Sequence, residues 1–128
     1  MEAAIVAPAV VVMVLIVVLG GRIQSAGGVV DAAARAGARA ASLERGGTQA
    51  QKDAARIAVQ AVLAGEHVDC PAELEPVQVG SGPDGLQTVT VVVDCTVQFD
   101  RLTLRWVPGS AKLHGQFTSV VDRHRGTG

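Results

Sequence analysis

The chain opens with a long run of apolar positions. Residues 3–21 include no charged side chain and no side chain that forms hydrogen bonds. As a helix, roughly 19 residues rise about 28 Å, close to the ~30 Å hydrocarbon core of a bilayer. A lone strand of the same residues would leave its backbone groups without partners in lipid. The pattern therefore predicts a membrane-spanning helix.

A cleaved secretory signal is the rival interpretation of this run. The run is longer than the usual signal core of ~7–15 residues, and no basic residue precedes it. The only cleavage-like segment, at residues 24–26, is weak. A retained anchor is therefore the preferred interpretation.

A stretch of small residues continues the helix after the span. Between Asp31 and Ser42 every residue is small or charged, and Gly46 and Gly47 end the element. Small residues recur at four-residue spacing, which lets another backbone approach closely. The rows are Ala33, Gly37 and Ala41, and Ala32, Ala36 and Ala40. We expect helix packing along them, beside Arg35 and Arg39, in preference to a solvated stalk.

A second, shorter helix follows. Thr48 and Gln51 have the spacing of a capping box, and Gly65 is a plausible C-terminal stop. The apolar face predicted for this helix consists of Ala50, Ala54, Ile57, Ala58, Ala61 and Val62.

The period then changes to two, which is typical of strands. Residues 76–79 predict a short strand, 80–85 a turn, and 86–99 the strongest strand of the chain. Residues 101–107 are ambiguous between strand and loop, and 111–121 predict a last strand. The apolar face of the strong strand consists of Val89, Val91, Val93, Cys95, Val97 and Phe99.

Together these elements predict an α+β fold. It comprises a long N-terminal helix, made of the span and its Ala-rich extension, then a second short helix and a small antiparallel sheet of three to four strands. We expect a transmembrane helical unit at residues 1–46 and an extracytoplasmic α+β domain at 47–128.

Two cysteines, Cys70 and Cys95, bear on topology. An isolated pair after a membrane-targeting segment favours a disulfide over two unrelated thiols, and places the domain in an oxidising compartment. The bond would close a loop of about 25 residues, worth roughly 3 kcal/mol. The arginines that follow the span indicate the opposite orientation by the positive-inside rule, a conflict that a basic leader upstream would resolve.

Candidate chemistry is sparse. A net charge of −1 gives no reason to expect nucleic acid, and aromatic side chains make up only 2% of the chain, which is thin for a ligand pocket. His67, Asp69 and Cys70 could be drawn as a metal or Cys/His site, but an exposed loop is the favoured interpretation. We therefore predict no catalytic, cofactor or metal site, and no enzyme.

Glu2 precedes a span that contains Pro8, and residues 34–41 read Ala-Arg-Ala-Gly-Ala-Arg-Ala-Ala. This N-terminal pattern resembles the TadE family of minor pilins in its actinobacterial form. Asp94-Cys95, the Pro108-Gly109-Ser110 turn and residues 121–125 resemble the family as well. No basic leader or peptidase-type glycine precedes Glu2 here, so we expect either a start further upstream or unusual processing.

The resemblance implies a membrane-anchored component of a tight-adherence (Tad) pilus. It also implies a prepilin peptidase, a secretion ATPase with its inner-membrane platform, and other pilin or pseudopilin subunits as partners. Glu2 matches the acidic residue near the mature N-terminus of pilins, and would pair with a neighbouring subunit's N-terminal amine. The alternative is a single-span envelope protein with a disulfide-tied binding or sensor domain. A secreted small enzyme is a third class, without a site to support it.

Overall fold

A computed structural model describes residues 3–68, 72–74, 78–99 and 108–121, with residues 72–74 described by their backbone. The elements are two helices, α1 (Ala3–Leu43) and α2 (Thr48–Gly65), and four strands, β1 (Ala72–Leu74), β2 (Gln78–Ser81), β3 (Gln87–Gln98) and β4 (Ser110–Val120). The predicted α+β class is confirmed, with the long helix, the second helix and the small antiparallel sheet all present.

Strand β3 is the centre of the sheet, and every other strand pairs with it in antiparallel orientation. β4 runs along one edge for nearly the full length of β3, from Gln98 opposite Ser110 to Thr88 opposite Val120. β1 and β2 pair with successive parts of β3, at residues 93–95 and 87–90 respectively. The sheet is therefore three strands wide, with β1 and β2 sharing one edge.

The alternation predicted for β3 is confirmed. Its inward residues Val89, Val91, Val93, Cys95 and Val97 are buried, and Phe99 beyond the strand is partly buried. The intervening side chains face the other side, where Asp94 pairs with His114 at 2.6 Å and Thr90 with Thr118 at 2.9 Å. An antiparallel sheet covered on one face produces this period of two.

The second half of α1 covers the buried face of the sheet and also packs against α2. One hydrophobic core joins the three layers, and it is built from small residues of α1, one side of α2 and the valines of β3. The division of the chain at residue 46 stays a prediction, because the helical extension and the later elements share this core.

The start and the buried face of α2 differ from the sequence-based expectation. Gly47, with φ 88°, is the N-cap, and no side chain caps the helix, so the predicted Thr48–Gln51 capping box is wrong. The residues that α2 buries fully are Ala55, Val59 and Leu63, while the predicted Ile57 is 65% exposed. The buried residues of α2 recur every four positions and form a single row. The buried face of α2 is therefore narrower than the predicted one.

The end of β2 and the presence of β1 also differ from expectation. β2 extends to Ser81, so the turn is confined to residues 82–86, with the Gly82 N–H donating to the Leu86 carbonyl oxygen at 2.8 Å. β1 has no sequence signal of its own, because three residues are too few for a period. The ambiguous segment 101–107 and strand positions 76 and 77 lie outside the described residues.

Candidate functional site: an exposed apolar helix on a small core

The first half of α1 is apolar and uncovered. It contains an 18-residue window of mean hydropathy 3.0, none of which is buried in the protein. Ile5 is 77% exposed, Met13 69% and Val17 68%. Length and composition suit a membrane span, and the exposure separates this segment from the buried core helix of a soluble protein.

The same helix enters the core without a break. α1 runs from Ala3 to Leu43, and burial begins at Ala26 and Val30. Val30, Ala33, Ala34, Ala38 and Ala41 are buried within the core. The candidate span and the part of α1 that packs in the core are thus two halves of one helix.

The first predicted row of small residues, Ala33, Gly37 and Ala41, is used within the chain. A Cβ atom added to Gly37 would lie 2.7 Å from Val59 Cγ2 and 3.3 Å from both the Ala55 carbonyl oxygen and Val91 Cγ1. The close approach that the spacing predicts is therefore made with α2 and β3 of the same protein. The second row points away from the core, since Ala32 is exposed and Ala36 and Ala40 are partly exposed.

Arg35 and Arg39 lie on the exposed side of α1. Arg35 forms the i,i+4 pair with Asp31 that its spacing favours, with 2.7 Å between Nη2 and Oδ2. Its guanidinium carbon also lies 5.7 Å from the centroid of the Phe117 ring, so it connects α1 to β4. Arg35 and Asp31 are both exposed to solvent. The ion pair and the contact with the Phe117 ring therefore contribute about 1 kcal/mol or less each.

A contact between Gly115 of β4 and Val30 of α1 has no counterpart in the sequence-based analysis. A Cβ atom at residue 115 would lie 2.8 Å from the Val30 carbonyl oxygen and 3.0 Å from its carbonyl carbon. The available signal was a glycine at an inward position of a strand, which often marks the close approach of another backbone.

The C-terminus of α2 ends in a left-handed residue, two positions after the expected stop at Gly65. His67 has φ 54°, its N–H donates to the Ala64 carbonyl oxygen, and the Val68 N–H donates to the Leu63 carbonyl oxygen. These two bonds form a Schellman motif, and Val68 packs on the core, a hydrophobic contact that often accompanies the motif. Histidine therefore occupies a position that usually holds glycine.

A cavity of about 570 Å³ lies where this turn meets α1. Its polar lining comes from Arg22, Ser25, Glu66 and His67, and its apolar lining includes Val18 and Val97. Arg22 is the first charged residue after the apolar run, so the cavity lies level with the end of the candidate span.

Two predicted sites depend on residues outside the described part of the chain. Glu2 is one of them, and its pairing stays a prediction. Cys70 is the other, so the Cys70–Cys95 bond also stays a prediction. Cys95 itself is buried on the inner face of β3 and is not a free thiol. Within the described ranges, no three His, Cys, Asp or Glu side chains are grouped as metal ligands would be.

Comparison with known proteins finds a similarity in the N-terminal part of the chain. The family model of TadE-like proteins matches residues 1–39, which cover the apolar span and the small-residue segment as far as Arg39. No curated protein and no solved structure matches the chain. The match confirms the TadE-like resemblance, and with the exposed apolar helix it fits a membrane-anchored component of a Tad pilus.

Proposed function

Because this chain is TadE-like over its first 39 residues, we propose that it is a pilin-like structural or assembly component of a Tad pilus or related secretion system. It is anchored by the first half of α1, with its α+β domain outside the cytoplasmic membrane. The observation that carries the proposal is an unburied apolar helix that continues into the folded core.

An apolar helix of this kind can move from the lipid bilayer into a bundle of helices. In lipid its side chains contact acyl chains, and in a bundle they contact the same segments of other subunits. Both surroundings are apolar, so the transfer involves no large hydrophobic penalty. Other pilin or pseudopilin subunits are therefore its proposed partners, handled by a secretion ATPase at the inner-membrane platform and by a prepilin peptidase.

The outward row of small residues supports contact between subunits just above the span. Ala32, Ala36 and Ala40 recur every four residues on the side of α1 that the core leaves accessible. With no bulky side chain on this row, a second helix can approach closely.

Glu2 is the proposed assembly residue. A carboxylate next to an apolar span costs about 2.5 kcal/mol or more when unpaired at the centre of a bilayer, on insertion scales. Pairing with the N-terminal amine of a neighbouring subunit would offset this cost and set the stagger between subunits.

The test compares Glu2→Ala and Glu2→Gln with the wild type. We expect both variants to insert in the membrane as well as the wild type or better, and to yield fewer sheared surface filaments. Membrane fractionation and filament recovery measure the two effects separately. Normal filament recovery from Glu2→Ala would remove the assembly role and favour a single-span envelope protein with a binding or sensor domain.

A further inference from the structure

We propose that the cavity between α1 and the end of α2 binds the headgroup of a zwitterionic phospholipid, one with a phosphate and a primary ammonium group. The inference rests on the membrane anchoring proposed above. It assigns a lipid ligand to the part of the protein where the span ends.

The position of the cavity fits the headgroup layer. A bilayer adds about 5–8 Å of polar region on each side of its hydrocarbon core, which a helix crosses in about four or five residues. The residues of α1 that line the cavity begin in the last turn of the apolar run, at Val18, and continue through Arg22 and Ser25 to Val29. A lipid whose acyl chains lie along the exposed apolar side of α1 therefore has its headgroup at this cavity.

The polar lining offers complementary charges. Arg22 supplies a guanidinium, whose planar donors match a phosphate group. Glu66 supplies a carboxylate at the C-terminal end of α2, where the helix dipole also favours a cation. Among the described residues, neither side chain is engaged in a hydrogen bond or ion pair. A phosphate with an ammonium group matches this pair better than a purely anionic headgroup does.

The Schellman turn at the end of α2 shapes this cavity. It holds His67 in the left-handed region, where a non-glycine residue is strained. Here the left-handed turn places two consecutive side chains, Glu66 and His67, in the lining of one cavity. The volume of about 570 Å³ lies within the range of small-molecule sites.

The experiment uses the full chain in nanodiscs made of equal parts of dioleoyl phosphatidylethanolamine, phosphatidylglycerol and phosphatidylcholine. Native mass spectrometry of the released protein counts the lipids that stay bound. We expect the wild type to retain phosphatidylethanolamine preferentially. Arg22→Gln should lower this retention by about two- to fivefold, the effect of one exposed ion pair. Glu66→Gln should shift the preference towards phosphatidylglycerol, because it removes the partner of the ammonium group.

Arg56→Gln is the matched control, since it makes the same charge change on the exposed side of α2. Equal retention of the three lipids by the wild type overturns the inference, as does an equal loss in Arg56→Gln. Soluble glycerophosphoethanolamine should compete only weakly, because it lacks the acyl chains that lie along α1. Complete displacement of the lipid by an equimolar amount of it overturns the inference and assigns the cavity to a free phosphate compound. Incorporation into nanodiscs without lipid preference leaves the proposed function standing, whereas failure to incorporate overturns both.

Discussion

Gly115 of β4 and Val30 of α1 meet backbone to backbone, with the Val30 carbonyl oxygen only 2.8 Å from where a Cβ atom of residue 115 would lie. The contact seats α1 on the sheet a short distance beyond the candidate span. Neither partner can yield by rotating a side chain, because the atoms in contact belong to the main chain of a helix.

Gly115→Ala should therefore destabilise the protein by about 1–3 kcal/mol, the usual cost of overpacking. Denaturant unfolding of the full chain in detergent, followed by circular dichroism, measures the change. Gly28→Ala is the control. Gly28 lies in α1, two residues before Val30, and nothing lies within 4 Å of where its Cβ atom would be. It should stabilise the protein by about 0.5–1 kcal/mol through helix propensity. Equal stability of wild type and Gly115→Ala would contradict the close approach.

Gly37→Leu should unfold the core, because its side chain would enter the space of Val59 and Val91. The row spacing alone predicts a close helix contact at Gly37, and its contacts show that the partner surface lies within the same chain. Ala32→Leu, on the outward row, should leave the unfolding transition unchanged and reduce filament recovery. The two variants thus separate folding from assembly, and a cooperative, wild-type-like transition in Gly37→Leu would refute the assignment.

His67→Gly should stabilise the protein by up to about 1 kcal/mol, because glycine adopts a positive φ without the strain of a Cβ atom. His67→Ala retains the Cβ atom and serves as the control for loss of the imidazole ring. We expect the midpoint of denaturant unfolding to rise for the glycine variant alone. A similar rise in both variants would attribute the effect to the ring and not to the backbone.

The Cys70–Cys95 disulfide should appear as a linked peptide in mass spectrometry of the non-reduced protein. Cys95 lies opposite Ala72 in the register of β1 and β3, and Cys70 precedes Ala72 by two residues in the sequence, within about 7 Å of chain. Replacing both cysteines by alanine should cost about 3 kcal/mol of stability in the chain-entropy model. Free thiols at both positions in the exported protein would disprove the bond and weaken the proposed outside orientation.

The sequence predicted those elements whose pattern extends over many residues. The alternation of β3 covers twelve residues, and the apolar run of α1 covers a whole span, so both were evident without a structure. The seam between the helices was less accessible. Ile57 is the bulkiest residue on the predicted face of α2, yet α1 offers only small residues, and the helices meet through Ala55 and Val59 instead.

Some features of the candidate site could also be predicted from the sequence, whereas others depend on the fold. Composition alone indicated the anchor, and four-residue spacing indicated a close helix contact at Gly37. Which surface would occupy that contact depends on the fold, because α2 and β3 reach Gly37 only when the chain doubles back on itself. The cavity beside Arg22 likewise combines residues more than forty positions apart, such as Ser25 and His67, which no local pattern connects.

The unbroken course of α1 has a mechanical consequence. A loop between the anchor and the domain could lengthen under tension before any force reached the domain. An extended chain spans about 3.3–3.6 Å per residue, whereas a helix rises about 1.5 Å. Here no loop intervenes between Ala3 and Leu43. A pull that draws the anchor along its axis is therefore transmitted directly to the core, and the contact between Gly115 and Val30 bears it as shear.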